Sequence, residues 1–424
     1  MEGWKEIALN EIGWFKGAGV NKLINTDEQP VYLVNYMDVY KHWRIYYNTN
    51  YQEVTAKDRE IEEANLLEGD VLFTPSSEKP IDIGHAGVVM ETMPNCVYSY
   101  HLIRLRLYDK TQFDLKYLSY LLNSDNVQKH FVSRASGSGI RYTLSLSDFK
   151  SAKIRFPKKS EQSAIAAMLS KVDEAIAAVQ GSIAAAERLK KSLMQNLLTG
   201  RMKPDGTLRK EDEFYVDEKF GKVPLGWEVK KVKDFGEVIT GKTPPTEKPD
   251  VFSDKEHGFM FVTPGDVDTA KYIEQTERYV SEKGIKFSYT LPQNAVCEIC
   301  IGSTIGKIGI TTKECCTNQQ ITSVVMNEEN DAEYFYYAML ARKDHFKSVA
   351  GINATPQINK SEYSKYRILC PKTKAEQIEI AQKLSAIDTE INKEQNKIAV
   401  LERLKKSLMQ NLLTGKNKVK YYNT

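Results

Sequence analysis

The sequence predicts an α+β protein with a pseudo-two-fold internal repeat: two mixed α/β domains, and two long helices able to pair within one chain. Three observations predict it. One block of sequence occurs twice, each copy carries an apolar heptad seam, and each is preceded by short strand-like runs.

The repeat is explicit. Residues 187–200 (Glu-Arg-Leu-Lys-Lys-Ser-Leu-Met-Gln-Asn-Leu-Leu-Thr-Gly) recur unchanged at 402–415, fourteen identical residues at an offset of 215. Upstream, Glu161-Gln162 matches Glu376-Gln377, Asp173 matches Asp388, and Pro157 matches Pro371. Further back, Asp114, Tyr117 and Tyr120 answer Asp331, Tyr334 and Tyr337, while Gly84 and Gly87 answer Gly306 and Gly309.

The helical blocks come next. Ile165, Leu169, Val172, Ile176, Val179 and Ile183 step by threes and fours, an a/d seam, and Leu189, Leu193 and Leu197 follow a shortened step. Leu384, Ile387, Ile391, Ile398, Leu404, Leu408 and Leu412 form the second seam, with its phase slip at the same place. Gly200 and Gly415 stand where a helix stop is expected. Each helix could run about 57 Å at 1.5 Å per residue.

The diverged blocks read as α/β domains. Residues 31–34, 71–74 and 102–107 are strand-like in the first, and 259–263, 295–301 and 321–325 in the second. The resulting division is 1–156 for the first domain, 157–200 for its helix and 201–222 for a polar, turn-rich linker. The second domain then takes 223–370, its helix 371–415 and a tail 416–424.

Composition narrows the function classes. The 424 residues are 41% hydrophobic and 27% charged, enough for globular folding, with a net charge of only +3. A uniformly basic protein is excluded, while local basic patches are not. No apolar run of membrane-spanning length occurs, the N-terminal residues lack a secretory signal, and six Cys suggest a reducing compartment. A cytoplasmic location is expected.

Several motifs carry less chemistry than they suggest. Residues 236–243 fit the G-x-x-x-x-G-K-[ST] phosphate loop. Pro244-Pro245 follow and oppose the helix such a loop must open, so a nucleotide-binding enzyme is only an alternative reading. Cys297 and Cys300 lie in an apolar run, which favours buried thiols over zinc, and no metal site is expected. Neither a catalytic constellation nor a methyl-donor loop is evident.

Binding chemistry remains. Residues 129–160 hold eight Lys or Arg and one acid, and residues 342–374 again hold eight, beside Asp344 and Glu362. Basic stretches at corresponding places, beside flexible polar loops, suit phosphate contact. In the first loop, Ser136, Ser138, Arg141 and Tyr142 are candidates, answered by Asn353, Thr355 and Gln357 in the second. Arg141 or Gln357 could form bidentate base contacts. A second corresponding pair is Thr74, Ser76 and Ser77 against Ser303, Thr304 and Lys307. Asn318, Gln319 and Gln320 supply amides suited to adenine edges, and Lys16, Lys242 and Thr243 complete the candidate set.

Together these features resemble the specificity subunit of a type I restriction-modification system. The wording that carries the resemblance includes residues 223–227 (Val-Pro-Leu-Gly-Trp), 240–244, 263–266, 302–306 and the paired tails. The resemblance spans nearly the whole chain. It implies a non-catalytic subunit with two target-recognition domains, each reading half of a bipartite duplex DNA target. It further implies helices that pair antiparallel to set the spacing. Two modification methyltransferase subunits using S-adenosylmethionine would dock on it, beside a restriction subunit driven by ATP and magnesium. No cofactor is expected on this chain. A related multi-subunit restriction system would share the same features.

Overall fold

The computed structural model describes residues 3–417, apart from 18, 49, 268–269 and 352–355. The chain forms two compact units. Unit 1 joins the residues up to 180 with those from 396 onward, and unit 2 comprises 181–395. Both boundaries fall inside long helices, α1 (Lys159–Leu197) and α2 (Lys374–Leu412), so each unit owns a part of each.

In unit 1 a five-stranded sheet runs in the order Gly13–Lys16, Ile103–Leu107, Val71–Phe73, Ala86–Val89, Arg44–Ile45. A four-stranded sheet (Gln52–Ala56, Gln29–Val34, Met93–Tyr98, Asn65–Leu66) stands beside it, with a core of Leu33, Val54, Leu72, Val97 and Leu102. The strand-like runs 31–34, 71–74 and 102–107 overlap the strands Gln29–Val34, Val71–Phe73 and Ile103–Leu107, with Thr74 and Leu102 just outside. A three-stranded sheet of β1 (Ser76–Ser77), β2 (Ser136–Ser138) and β3 (Arg141–Thr143) has the order β2-β3-β1.

Unit 2 repeats the plan. Its first sheet contains β4 (Gly236–Thr240), β5 (Val296–Ile299) and β6 (Ile321–Met326) in the order β4-β6-β5, continued by Ile308–Thr311 and Tyr272–Ile273. A second five-stranded sheet includes Phe259–Val262 and Cys315–Thr317. The paired glycines show how closely the two units agree. A Cβ on Gly87 would meet Ile45 Cγ1 at 3.0 Å, and one on Gly309 would meet Ile273 Cγ1 at 3.0 Å. Both glycines admit a short parallel edge strand.

Within unit 1, Asp173 of α1 pairs with Lys405 of α2 at 2.7 Å, and Leu169 shares a core cluster with Leu412. Ile176 and Glu402 line one cleft, so the two segments run in opposite directions. Within unit 2, Lys190 pairs with Asp388, Met194 packs on the cluster holding Leu384, and Glu187 shares a cleft with Ile391. These segments are antiparallel as well. The coiled-coil expectation therefore holds in each unit.

Most expected seam residues are buried or half-buried: Leu169, Val172, Ile176 and Ile183 on α1, and Leu384, Ile387, Ile391 and Ile398 on α2. Two are not. Leu189 is 53% exposed and its repeat equivalent Leu404 is 45% exposed. After the phase slip the inward face passes to Lys190, Leu193, Met194 and Leu197, which turns Leu189 outward.

The stretch expected as a linker is ordered. Phe214–Asp217 and Gly221–Pro224 form a β-hairpin, and Arg209 anchors it through Glu376 and the Gly200 carbonyl. Residues 236–243 do not make a phosphate loop. Gly236–Thr240 is β4, an antiparallel strand paired to β6, and no helix opens after Thr243. The nucleotide-binding alternative fails on that geometry, because a phosphate loop needs a helix N-terminus.

Candidate nucleic-acid interface

The sequence places the Thr74–Ser77 run and the glycine-rich loop as separate candidates. The structure joins them. Tyr142 pairs with Ser77 and Thr143 with Ser76, while Ser136 pairs with Thr143 and Ser138 with Arg141. What reads as a flexible loop is thus a two-stranded ribbon. Its turn is Gly139-Ile140, with Gly139 at φ +68°, the positive φ that a two-residue hairpin wants at its first central position. Gly137 (φ +154°) is equally constrained: a Cβ there would meet the Arg141 carbonyl oxygen at 2.1 Å.

Ser136, Ser138 and Arg141 are exposed, and Ser76, Ser77 and Tyr142 half-buried. Thr74 is fully buried and its hydroxyl accepts the His85 N–H at 2.9 Å, so it braces the sheet and offers nothing to a ligand. Lys16 is engaged by Glu63 at 2.8 Å, which ties its strand to the helix Asp58–Ala64. Lys16 and Arg59 together hold the Glu63 carboxyl at about 2.

In unit 2 the candidates also converge. The Gly241 N–H donates to Ile321 O and Lys242 N–H to Thr317 O, which lays the Lys242-Thr243 segment beside Asn318, Gln319 and Gln320. Thr243 Oγ1 donates to Gln319 Oε1, and Asn318 Nδ2 donates to Gln320 Oε1 at 3.1 Å. Cys300 N–H donates to Gln320 O, and Gly302 N–H to Pro356 O, bringing the Ser303-Thr304 turn alongside. Gln357 bridges to Ile301 and is exposed. Lys307 is half-buried after this turn, and its N–H donates to Thr304 O. Asn353 and Thr355 lie outside the described residues.

Beneath this cluster sits a group that the sequence offers no reason to single out. Glu298 on β5 is wholly buried, and burial pushes its carboxyl up to about 8, partly countered by the positive charge of Lys343. Its Oε2 and the Tyr363 hydroxyl each lack a hydrogen-bond partner. All six cysteines are free and buried, as expected from their apolar setting. Burial raises the Cys297 thiol to about 12 and lifts that of Cys300 too, which leaves them inert as nucleophiles.

The domain-to-helix junctions are the second shared site. Tyr120 donates its hydroxyl to Asp173, which also receives Lys405. In unit 2, Tyr337 donates to Asp388 at 2.6 Å, and Asp388 receives Lys190. Gln162 accepts the Asp114 N–H at 3.0 Å and donates to Pro157 O at 2.9 Å. Gln377 does the same with Asp331 at 2.9 Å and Pro371 at 3.1 Å. The matched Glu-Gln and Asp positions of the sequence thus seat each domain on its own helix.

Beside each junction lies a cleft, about 640 Å³ in unit 1 and about 710 Å³ in unit 2. Glu402, Lys405, Lys406, Met409, Gln410 and Thr414 line the first, with Asp173 and Ile176 opposite. The second has Glu187, Lys190, Lys191, Met194, Gln195 and Thr199, with Asp388 and Ile391 opposite. These are the same residue types at the 215-residue offset. Among the described residues no group of three or more His, Cys, Asp or Glu is placed to hold a metal, and no helix is long and apolar enough to cross a membrane.

The family described as type I restriction modification DNA specificity domain matches residues 1–188 and 224–403. A putative type I restriction enzyme MjaX specificity subunit of Methanocaldococcus jannaschii is 24% identical over 378 residues, 86% of this chain and 82% of its own. The MjaVIII specificity subunit of that organism is 24% identical over 437 residues, 100% of this chain and 95% of its own. The crystal structure of the type I restriction-modification S subunit from M. genitalium shares the fold, with a TM-score of 0.57 at 15% identity. It covers 99% of this chain and 97% of that one.

Proposed function

The chain belongs to the type I restriction modification DNA specificity family, and from that premise we propose that its two units read the two halves of a bipartite duplex target. The paired helices set the spacing between the halves. The subunit is non-catalytic: it supplies recognition, while S-adenosylmethionine, ATP and magnesium chemistry belongs to partner subunits. The β2-β3 ribbon with Arg141 reads one half-site. The Lys242, Gln319 and Gln357 cluster reads the other. Two readers of different sequence on one separator suit an asymmetric target with two dissimilar halves.

Sequencing of methylated positions in a host carrying the whole system tests this. A bipartite motif with a fixed gap is expected. Inserting one heptad into each helix, after Gln180 and after Gln395, adds about 10 Å, or roughly three base pairs at 3.4 Å per step. The gap is expected to lengthen accordingly. An unchanged gap in an active complex would remove the spacing role.

The two clefts carry the partner assignment. Surfaces of one composition, each lined by residues of the identical tail that also carries an exposed leucine, suit two copies of one partner, the methyltransferase subunit. Leu404→Asp is expected to reduce the bound copies from two to one in native mass spectrometry, and the double variant with Leu189→Asp to none. Retention of both copies by the double variant would refute the assignment. Because both leucines face solvent, neither change perturbs the fold.

A further inference from the structure

The turn of the β2-β3 ribbon has an unusual composition for an exposed tip. Ile140 is 85% exposed, the most exposed large hydrophobic residue among those described. A β-branched side chain at a hairpin tip gains nothing in stability from that position, because nothing packs on it. The preceding Gly139 takes the positive φ the turn needs, which leaves Ile140 projecting as the only side chain of the two-residue turn.

Its surroundings are cationic. Arg141 follows it directly and is exposed. Burial lowers the His101 pKa, and the positive charges of Lys22 and Arg141 lower it further. Lys22 and Arg141 thus lie near enough to His101 for their charges to act on it, although the three come from distant stretches of chain. Tyr100 packs against His101 in a tilted pair with ring centroids 3.9 Å apart and is itself 49% exposed. An apolar tip next to the exposed cation Arg141, with Lys22 acting on the same neighbourhood, does not suit an apolar protein groove, since burying those charges would be costly. It suits a polyanion that also offers an apolar slot. Duplex DNA does both: its phosphates neutralise the cations, and a base step can open to receive an aliphatic wedge.

We propose that Ile140 is a wedge that inserts at a base step of the half-site read by unit 1, with the cations Arg141 and Lys22 holding the flanking phosphates. This rests on the reading that unit 1 binds DNA. It adds a mode of recognition, because the energy of unstacking a step depends on its sequence and contributes selectivity without a base hydrogen bond.

The test uses the full chain with its methyltransferase partner. The probe is a duplex of about 40 base pairs, several helical turns, carrying the target found by methylation sequencing. Fluorescent base analogues are placed one at a time along both half-sites. Binding of the unaltered protein is expected to raise fluorescence severalfold at one step of one half-site. Ile140→Ala is expected to abolish that rise and weaken binding roughly tenfold, whereas Ile140→Leu keeps both. Tight binding with no rise at any position, or a rise that survives Ile140→Ala, would overturn the wedge while leaving DNA recognition standing. Failure of the unaltered complex to bind the duplex would overturn both.

Discussion

Replacing Trp227 by alanine is expected to destabilise unit 2 by about 3–5 kcal/mol, the range for truncating a fully buried large aromatic residue. Trp227 is among the largest side chains with no exposure at all. Its indole N–H donates to Glu376 Oε1 at 3.0 Å, the same carboxylate that Arg209 engages, and the Arg209 guanidinium lies 5.6 Å from the indole ring. Gly200 closes against it, since a Cβ there would come within 3.3 Å of the indole and 2.3 Å of Pro224. One residue thus joins the end of α1, the start of α2, the hairpin and the domain. Trp227→Phe keeps most of the volume and loses the donor, so its cost should be nearer 1–2 kcal/mol. Denaturant midpoints for the two variants would show the ordering. A Trp227→Ala midpoint equal to that of Trp227→Phe would sink the argument.

Glu298 gives the second large effect, through pH. Its carboxyl is raised from 4.5 to about 8 in the folded state because burial disfavours the anion. Between those values the folded chain holds a proton that the unfolded chain has released. Stability is therefore full below about 4.5 and declines as pH rises toward about 8. The loss is on the order of a few kcal/mol. Glu298→Gln, neutral at every pH, should flatten the alkaline decline of unit 2's melting temperature between pH 5 and pH 9 relative to the unaltered protein. If both proteins lose stability in parallel over that window, Glu298 is not the titrating group.

Much of this architecture was legible because the chain states it twice. The offset identifies Asp173 with Asp388, Lys190 with Lys405 and Gln162 with Gln377, and each pair does the same work in its unit. Strands were legible where apolar runs are buried on both faces, as in Val296–Ile299. Leu189 and Leu404 misled because a heptad rule was carried through a phase slip, where the inward face passes to a neighbouring residue. The ribbon misled because glycine and serine imply a loop, while its pairing joins Tyr142 to Ser77 and Thr143 to Ser76, far apart in the chain. Lys22 and His101 left no trace in the sequence for the same reason: only the fold brings them to Arg141. Glu298 was hidden because an acid within an apolar run shows neither its burial nor its missing partner.

The division of the chain into units also orders its synthesis. Unit 2 is one continuous stretch and can close once residue 395 has left the ribosome. Unit 1 is complete only later, because Lys405, Leu412 and Leu413 belong to its core and junction. At translation rates of about 5–20 residues per second, the 215 residues from 181 to 395 delay its completion by roughly 10–40 s. Throughout that interval the cluster that holds Ile165 and Leu169 lacks Leu412 and Leu413. The half synthesised first is the half completed last, and chaperones have their longest opportunity there.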